Sequence, residues 1–177
     1  MDFRGIKEFL KDSLGIIIII LVVLLVNIYI ISFQQVVGPS MNSNLQSGDI
    51  VILNKLIYKI RNVRRCDVIS FEQDSKNMVK RVIGLPGEYI EYKDNYLYID
   101  GVKYAEDYLD KDTITKNFKL EELPGHYTKI PDGMYLVLGD NRTDSTDSRD
   151  FGLIKKKDIK GKVSIRVWPL SGIKLIK

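Results

Sequence analysis

Residues 14–33 read LGIIIIILVVLLVNIYIISF, twenty residues without a charge. At 1.5 Å of rise per residue, such a run matches a bilayer hydrocarbon core of roughly 30 Å. The stretch predicts a membrane-spanning helix. A cleaved secretion signal fits less well, because its apolar core is only about 7 to 15 residues and closes on small residues. This run instead leads into Ser32, Phe33, Gln34 and Gln35. A buried soluble helix and an Ile/Val-rich strand segment are the other readings weighed. Arg4, Lys7 and Lys11 precede the run and the next basic residue is Lys55. The excess of positive charge on the N-terminal side predicts residues 1–13 in the cytoplasm and 34–177 outside, a single-pass protein of the cell membrane. Asn27 is read as an amide the span tolerates.

The 177 residues suffice for one domain plus an anchor and exclude a multidomain enzyme. With 27 Lys and Arg against 23 Asp and Glu, the net charge is +4. That mild excess suits an anionic lipid surface, and no basic block interleaved with aromatics points to nucleic acid. Lys155, Lys156 and Lys157 read as a solvated turn or helix start.

Beyond the anchor the hydrophobic pattern is short-period. Segments 50–54, 66–71, 78–83, 89–92, 96–99, 102–104, 134–138 and 163–167 all read as strands. In YLYIDGVKY (96–104), Asp100-Gly101 supplies the positive φ angles of a tight hairpin. Residues 105–130, rich in Asp, Glu, Lys and Thr, read as a polar excursion from the main sheet. The expected fold is therefore mainly β: an N-terminal transmembrane helix followed by an extracytoplasmic antiparallel β-sheet domain. Trp168 and Pro169 suit either the lipid interface or closure of the core.

One cysteine, Cys66, and one histidine, His126, limit the available chemistry. They allow no intramolecular disulfide and no multi-histidine metal site, so neither metal nor cofactor is expected. A Ser/His/Asp triad would depend on His126 in the loop LPGHYTKI, and a Cys/His pair on Cys66 in the apparently buried strand CDVISF. A serine can also be activated by a neutral lysine. Lowering a lysine from about 10.4 to about 7 or 8 requires apolar surroundings. In NMVKRVIGLPGE, strand alternation puts Met78 and Val82 beside Lys80 on one face, with Val79, Arg81 and Ile83 on the other.

From the anchor to about Trp168 the chain resembles the type I signal peptidases, or leader peptidases. VVGPSM (36–41) looks like the nucleophile box, SGDIVILNK (47–55) the strand after it and RRCDVISF (64–71) the next box. MVKRVIGLPGE (78–88) closely matches the general-base box, and LGDNRTDSTDSRDFG (138–152) resembles the last. A Gly-x-Ser-Met stretch alone is weak; these boxes in this order are specific. The resemblance implies a membrane-bound serine endopeptidase that removes signal peptides from exported preproteins through an acyl-enzyme. It implies Ser40 as nucleophile and Lys80 as general base, with the backbone N–H of Ser40 at the oxyanion. Ser145 matches a serine that hydrogen-bonds the lysine, Asp147 with Arg149 an ion pair, and Asp140 with Arg81 a further charged contact. Gly38, Met41, Met78 and Val79 would contact substrate, which carries small residues at the first and third positions before the cut. The partners implied are preproteins and the lipid bilayer, without nucleic acid or metal. Departures are Gly38 where one branch has a serine, Asn42 to Asn44 after the methionine, Cys66 at a usual glycine and Asp144 at a usual asparagine. Two alternatives remain on the same fold: a Ser/Lys protease of the self-cleaving repressor type, and a membrane-tethered binding module without catalysis.

Overall fold

The computed structural model describes residues 3–176. A helix, α1 (Phe3–Tyr29), leads into an antiparallel β structure. Its strands are β1 (Ile31–Gln35), β2 (Ile50–Asn54), β3 (Val68–Gln73), β4 (Lys76–Gly84), β5 (Ile90–Lys93), β6 (Tyr96–Ile99) and β7 (Val102–Tyr104). After these come β8 (Phe118–Lys119), β9 (Met134–Leu138), β10 (Ile154–Lys155), β11 (Ile159–Trp168) and β12 (Lys174–Leu175). Two helices of one turn, α2 (Ile57–Ile60) and α3 (Ser148–Phe151), interrupt them. The larger sheet runs β1-β2-β11-β3-β4-β9-β10, with β12 against β11, and the smaller runs β7-β6-β5-β8.

The mainly antiparallel β architecture is the expected one, and Asp100-Gly101 turns with φ of 49° and 80°. The anchor differs from expectation. Helix α1 stops at Tyr29, and Ile31, Ser32 and Phe33 pair with Asn54, Leu53 and Ile52 of β2. Lys55 supplies the reason: its Nζ donates to the carbonyls of Asn27 and Ile28 at 3.0 and 3.2 Å, and its backbone N–H donates to Ile30. A cation on the last orphan carbonyls ends the helix, and the β-branched residues that follow extend readily as a strand. The uncharged part of α1 thus runs only from Ser13 to Tyr29, about 25 Å. Among the described residues no helix is long and apolar enough to cross a membrane. Side chains from Leu14 to Leu25 nevertheless stand about half exposed, without protein packed over them. Met1, Asp2 and Lys177, within the expected tail and outer domain, lie outside the described residues, as do the side chains of Arg4 and Lys7 that set the expected orientation.

Three apolar clusters form the core. Alternation along β9 sends Leu136 and Leu138 into one cluster and Tyr135 and Val137 into another, so the strand is buried on both faces. The first cluster joins Ile83, Ile90, Tyr92 and Leu97 to Phe118, Leu120 and Leu123. Residues 105–130 therefore do more than make a polar excursion: their C-terminal part supplies β8 and core side chains. A second cluster, under the turn after β1, gathers Val36, Met41, Leu45, Val51, Val68 and Val79. Each fully buried aliphatic side chain contributes about 1.5 to 3 kcal/mol. Cys66 is not in a strand; it sits half-buried before β3 with φ of 67°. His126 is exposed in its loop, and Trp168 is 51% exposed, which excludes core closure.

β11 crosses both halves of the larger sheet, pairing with β2 and β3. At Gly161 it passes so close to the end of β2 that a Cβ there would meet the Asn54 carbonyl oxygen at 2.7 Å. Because the obstacle is backbone, Gly161→Ala is expected to cost about 1 to 3 kcal/mol, read as a lower urea midpoint of the detergent-solubilised chain.

Candidate active site

Ser40 lies in the turn that follows β1. Asn42 N–H donates to the Pro39 carbonyl and Leu45 N–H to that of Met41, winding the chain into one helical turn. Met41 and Leu45, both fully buried, hold that turn on the core. Met41 was expected to contact substrate; packed inward against the core cluster, it does not line the cleft. From the other side Asn141 grips the turn: its N–H donates to Ser40 O at 3.0 Å and its Nδ2 to Pro39 O at 3.2 Å. The amide of Ser40 itself donates to no group among the described residues.

Lys80 comes from β4, opposite Ile69 of β3, and is 3% exposed. Its Nζ lies 2.6 Å from Ser40 Oγ. Burial pushes the amine down from an ordinary 10.5 to about 8, against the pull of Asp147 and Asp140. Both carboxylates are engaged elsewhere. Asp140 accepts from Arg81 Nε at 2.8 Å and Nη2 at 2.7 Å in a fork deep in the protein, and from Asn44 Nδ2 at 2.8 Å. Asp147 accepts from Arg149 Nε and Nη2, both at 2.8 Å, and from Gly139 N–H at 3.0 Å, while capping α3. The predicted pairs Asp140–Arg81 and Asp147–Arg149 are thus formed around the lysine without either carboxylate bonding to it.

Ser145 behaves differently from expectation. Its Oγ is buried and has no hydrogen-bond partner among the described residues. It packs against Gly139, where a Cβ would fall 2.2 Å from Ser145 Oγ and 2.4 Å from Ser40 O. Only the absence of a side chain at 139 lets the last box lie this close to the Ser40 turn.

A cleft of about 730 Å³ opens beside the pair, lined by residues 33–40, 76–80, Asp144 and Thr146. Gly38, Met78 and Val79 line it as expected. Its two long walls are strand edges: among the described residues β1 pairs only with β2, and β4 meets β9 only from Arg81 onward. Among the described residues no group of His, Cys, Asp or Glu could hold a metal ion. Asn44, Asn141 and Arg142 were missed in the sequence, where they read as turn polarity. Arg142 is fully buried, with Nε on Gly139 O at 3.1 Å and Nη2 on Glu106 Oε1 at 2.5 Å. For Arg142 the one signal available was a charged residue inside the box at 138–152.

Comparison with known proteins gives the family of the chain. Residues 7–168 match the family described as signal peptidase, peptidase S26. The chain is 45% identical over 156 residues to the signal peptidase I of Bacillus caldolyticus, covering 84% of this chain and 85% of that one. It is 40% identical to the signal peptidase IB of Staphylococcus aureus strain Mu50, covering 95% and 94%. A crystal structure of a signal peptidase I from Enterococcus faecalis V583 superposes with a TM-score of 0.54 at 41% identity, covering 59% of this chain and 98% of that one. This chain belongs to the signal peptidase family, the S26 peptidases, and is an enzyme of that family.

Proposed function

We propose that the chain is a membrane-bound serine endopeptidase that removes N-terminal signal peptides from exported preproteins, with Ser40 as nucleophile and Lys80 as general base. The observation that carries the reading is the 2.6 Å approach of Lys80 Nζ to Ser40 Oγ, with the amine buried and held near 8. Neutral Lys80 accepts the Ser40 hydroxyl proton as Oγ attacks the scissile carbonyl carbon. The uncommitted Ser40 N–H points the reading to an oxyanion donor, a type of contact worth about 3 kcal/mol. The Lys80 ammonium then protonates the leaving amine, and the C–N bond breaks to leave an ester on Ser40. A water gives one proton to Lys80 as it attacks that ester; Lys80 passes this proton to Ser40 Oγ as the acyl C–O bond breaks, and the released acid gives its remaining proton to solvent and leaves as a carboxylate.

An extended peptide entering the cleft finds the open backbone edges of β1 and β4, the recognition mode in which a strand is added to a sheet. Membrane attachment rests on α1, whose Leu14 to Leu25 side chains are exposed, and on Phe33, Trp168, Leu170, Ile173 and Leu175, which are exposed too. Apolar side chains left bare by the protein suit contact with lipid, and with them α1 anchors the catalytic domain on the outer face. The contact between Ser40 and Lys80 favours a peptidase over a binding module.

Ser40→Ala and Lys80→Met are each expected to lower cleavage of a model precursor at least about 1000-fold with the fold retained, the cut position being read by mass spectrometry. Retention of the parental rate by either variant rules out the dyad. With an amine near 8 as base, about a tenth is neutral at pH 7 and about nine-tenths at pH 9. The rate should therefore rise close to tenfold over that interval, and a flat profile speaks against lysine as base. The same depression makes Lys80 destabilising while charged. Protons lost on folding between pH 8 and 10.5 mean that Lys80→Met should be more stable than the parent at pH 7, a difference that fades as the pH approaches 10.5. Protease added to intact cells should digest residues 34–177; their protection reverses the assigned orientation.

A further inference from the structure

The cleft is chemically divided along its length. Near Ser40 its wall is aliphatic: Val36 and Val79 line it, and Val51 lies behind them in the same cluster. Farther from Ser40 stands Gln34 of β1, two residues before Val36, so that alternation along the extended chain puts both side chains on one face. Gln34 meets Ser70 of β3, whose Oγ donates to Gln34 Oε1 at 2.5 Å. Ser70 is opposite Val79 in the β3–β4 ladder and is 0% exposed, the one polar residue in the buried stretch Val68, Ile69, Ser70 and Phe71 of β3. A hydroxyl buried there alone would cost about 1 to 3 kcal/mol, so its bond to Gln34 accounts for its place. The same bond uses the oxygen end of the Gln34 amide. The nitrogen end, with two N–H donors, has no partner among the described residues and belongs to a side chain that lines the cleft.

We propose that Gln34, held by Ser70, is a specificity-determining residue that selects a hydrogen-bond-accepting side chain on the substrate, a serine, threonine or asparagine, two residues before the residue at the cut. The inference rests on the proposed peptidase reading. A peptide laid along β1 in the same sense, with its scissile carbonyl at Ser40, turns the side chain at the cut toward Val36 and Val79. The side chain two positions earlier shares that face about 7 Å away and meets Gln34. An alanine there leaves the amide donors without a partner in a site from which substrate has displaced water, whereas a serine hydroxyl accepts from them. Met78, Asn77 and Lys76 on the opposite wall leave the Gln34 amide as the polar group backed by a buried partner.

The test uses the full chain in detergent micelles and two precursor peptides that differ only at this position, alanine against serine, cleaved in competition in one vessel. The ratio of kcat/KM values is then independent of the active fraction. The parental chain should favour the serine peptide about five- to tenfold. In Gln34→Leu/Ser70→Val, where both polar partners are replaced together, the ratio should fall to about one or below. A parental ratio of one or less with the alanine peptide still cut overturns the selectivity and leaves the Ser40/Lys80 reading standing. An unchanged preference in the double variant overturns it as well. If the parental chain cuts neither peptide, this inference falls together with the reading beneath it.

Discussion

A lysine amine is kept out of water against a serine hydroxyl, and most of the surrounding architecture can be understood as making that tolerable. Burial alone drives the Lys80 amine toward neutrality, but carboxylates close by would undo this if they were free to pair with it. Asp140 and Asp147 are the two that pull hardest, and each is already gripped by an arginine fork and a further donor. An arginine presents fixed paired N–H groups that match a carboxylate, which is why it can hold the anion in place where a second lysine would compete on equal terms. Arg81, next to Lys80 in β4, faces the opposite way along the same strand. One strand thus delivers the Lys80 amine to the cleft and the guard for Asp140 to the interior.

The smaller sheet contributes to this arrangement at a distance. Glu106, after β7, accepts from Tyr92, Tyr108 and Arg142, and Arg142 in turn donates to the Gly139 carbonyl. Arg149 reaches the Arg142 carbonyl at 2.8 Å while forked on Asp147. Tyr108 lies with its ring against Arg81, whose guanidinium carbon is 4.1 Å from the ring centre. A buried charge pair such as Arg142 with Glu106 is costly to break, because either partner left alone is an uncompensated charge. The second sheet is therefore tied to the segment beside Ser40 through satisfied polar contacts as well as through the shared cluster of Ile83, Tyr92 and Leu138.

Much of this could be read from the residues in advance. Alternating apolar residues marked the strands, and Asp100-Gly101 marked a hairpin because few other dipeptides tolerate its backbone. Scarcity helped as well: with one cysteine and one histidine, a lysine base was the economical reading, and the spaced boxes singled out residues 40 and 80. The end of α1 was hidden, since Ile30 to Phe33 are as apolar as the helix before them and only pairing with β2 makes them strand. Cys66 looked like a strand residue because its positive φ leaves no trace in composition. Met41 was indistinguishable from a cleft residue until the turn at 39–45 pointed it inward.

The sequence by itself determined which side chains exist, their local periodicity and their order along the chain, and so the β class, the apolar N-terminal run and the short list of reactive groups. Only the tertiary structure decided that Ser40 and Lys80 touch, that Asp140 and Asp147 are spoken for, and that Gln34 turns its free amide to the cleft while Ser70 holds the other end. The physical reason is that periodicity is a property of neighbours a few residues apart. Dryness at an amine, and the partnering of a charge or a hydroxyl, depend on atoms brought together from residues 36 to 96 positions apart in the chain.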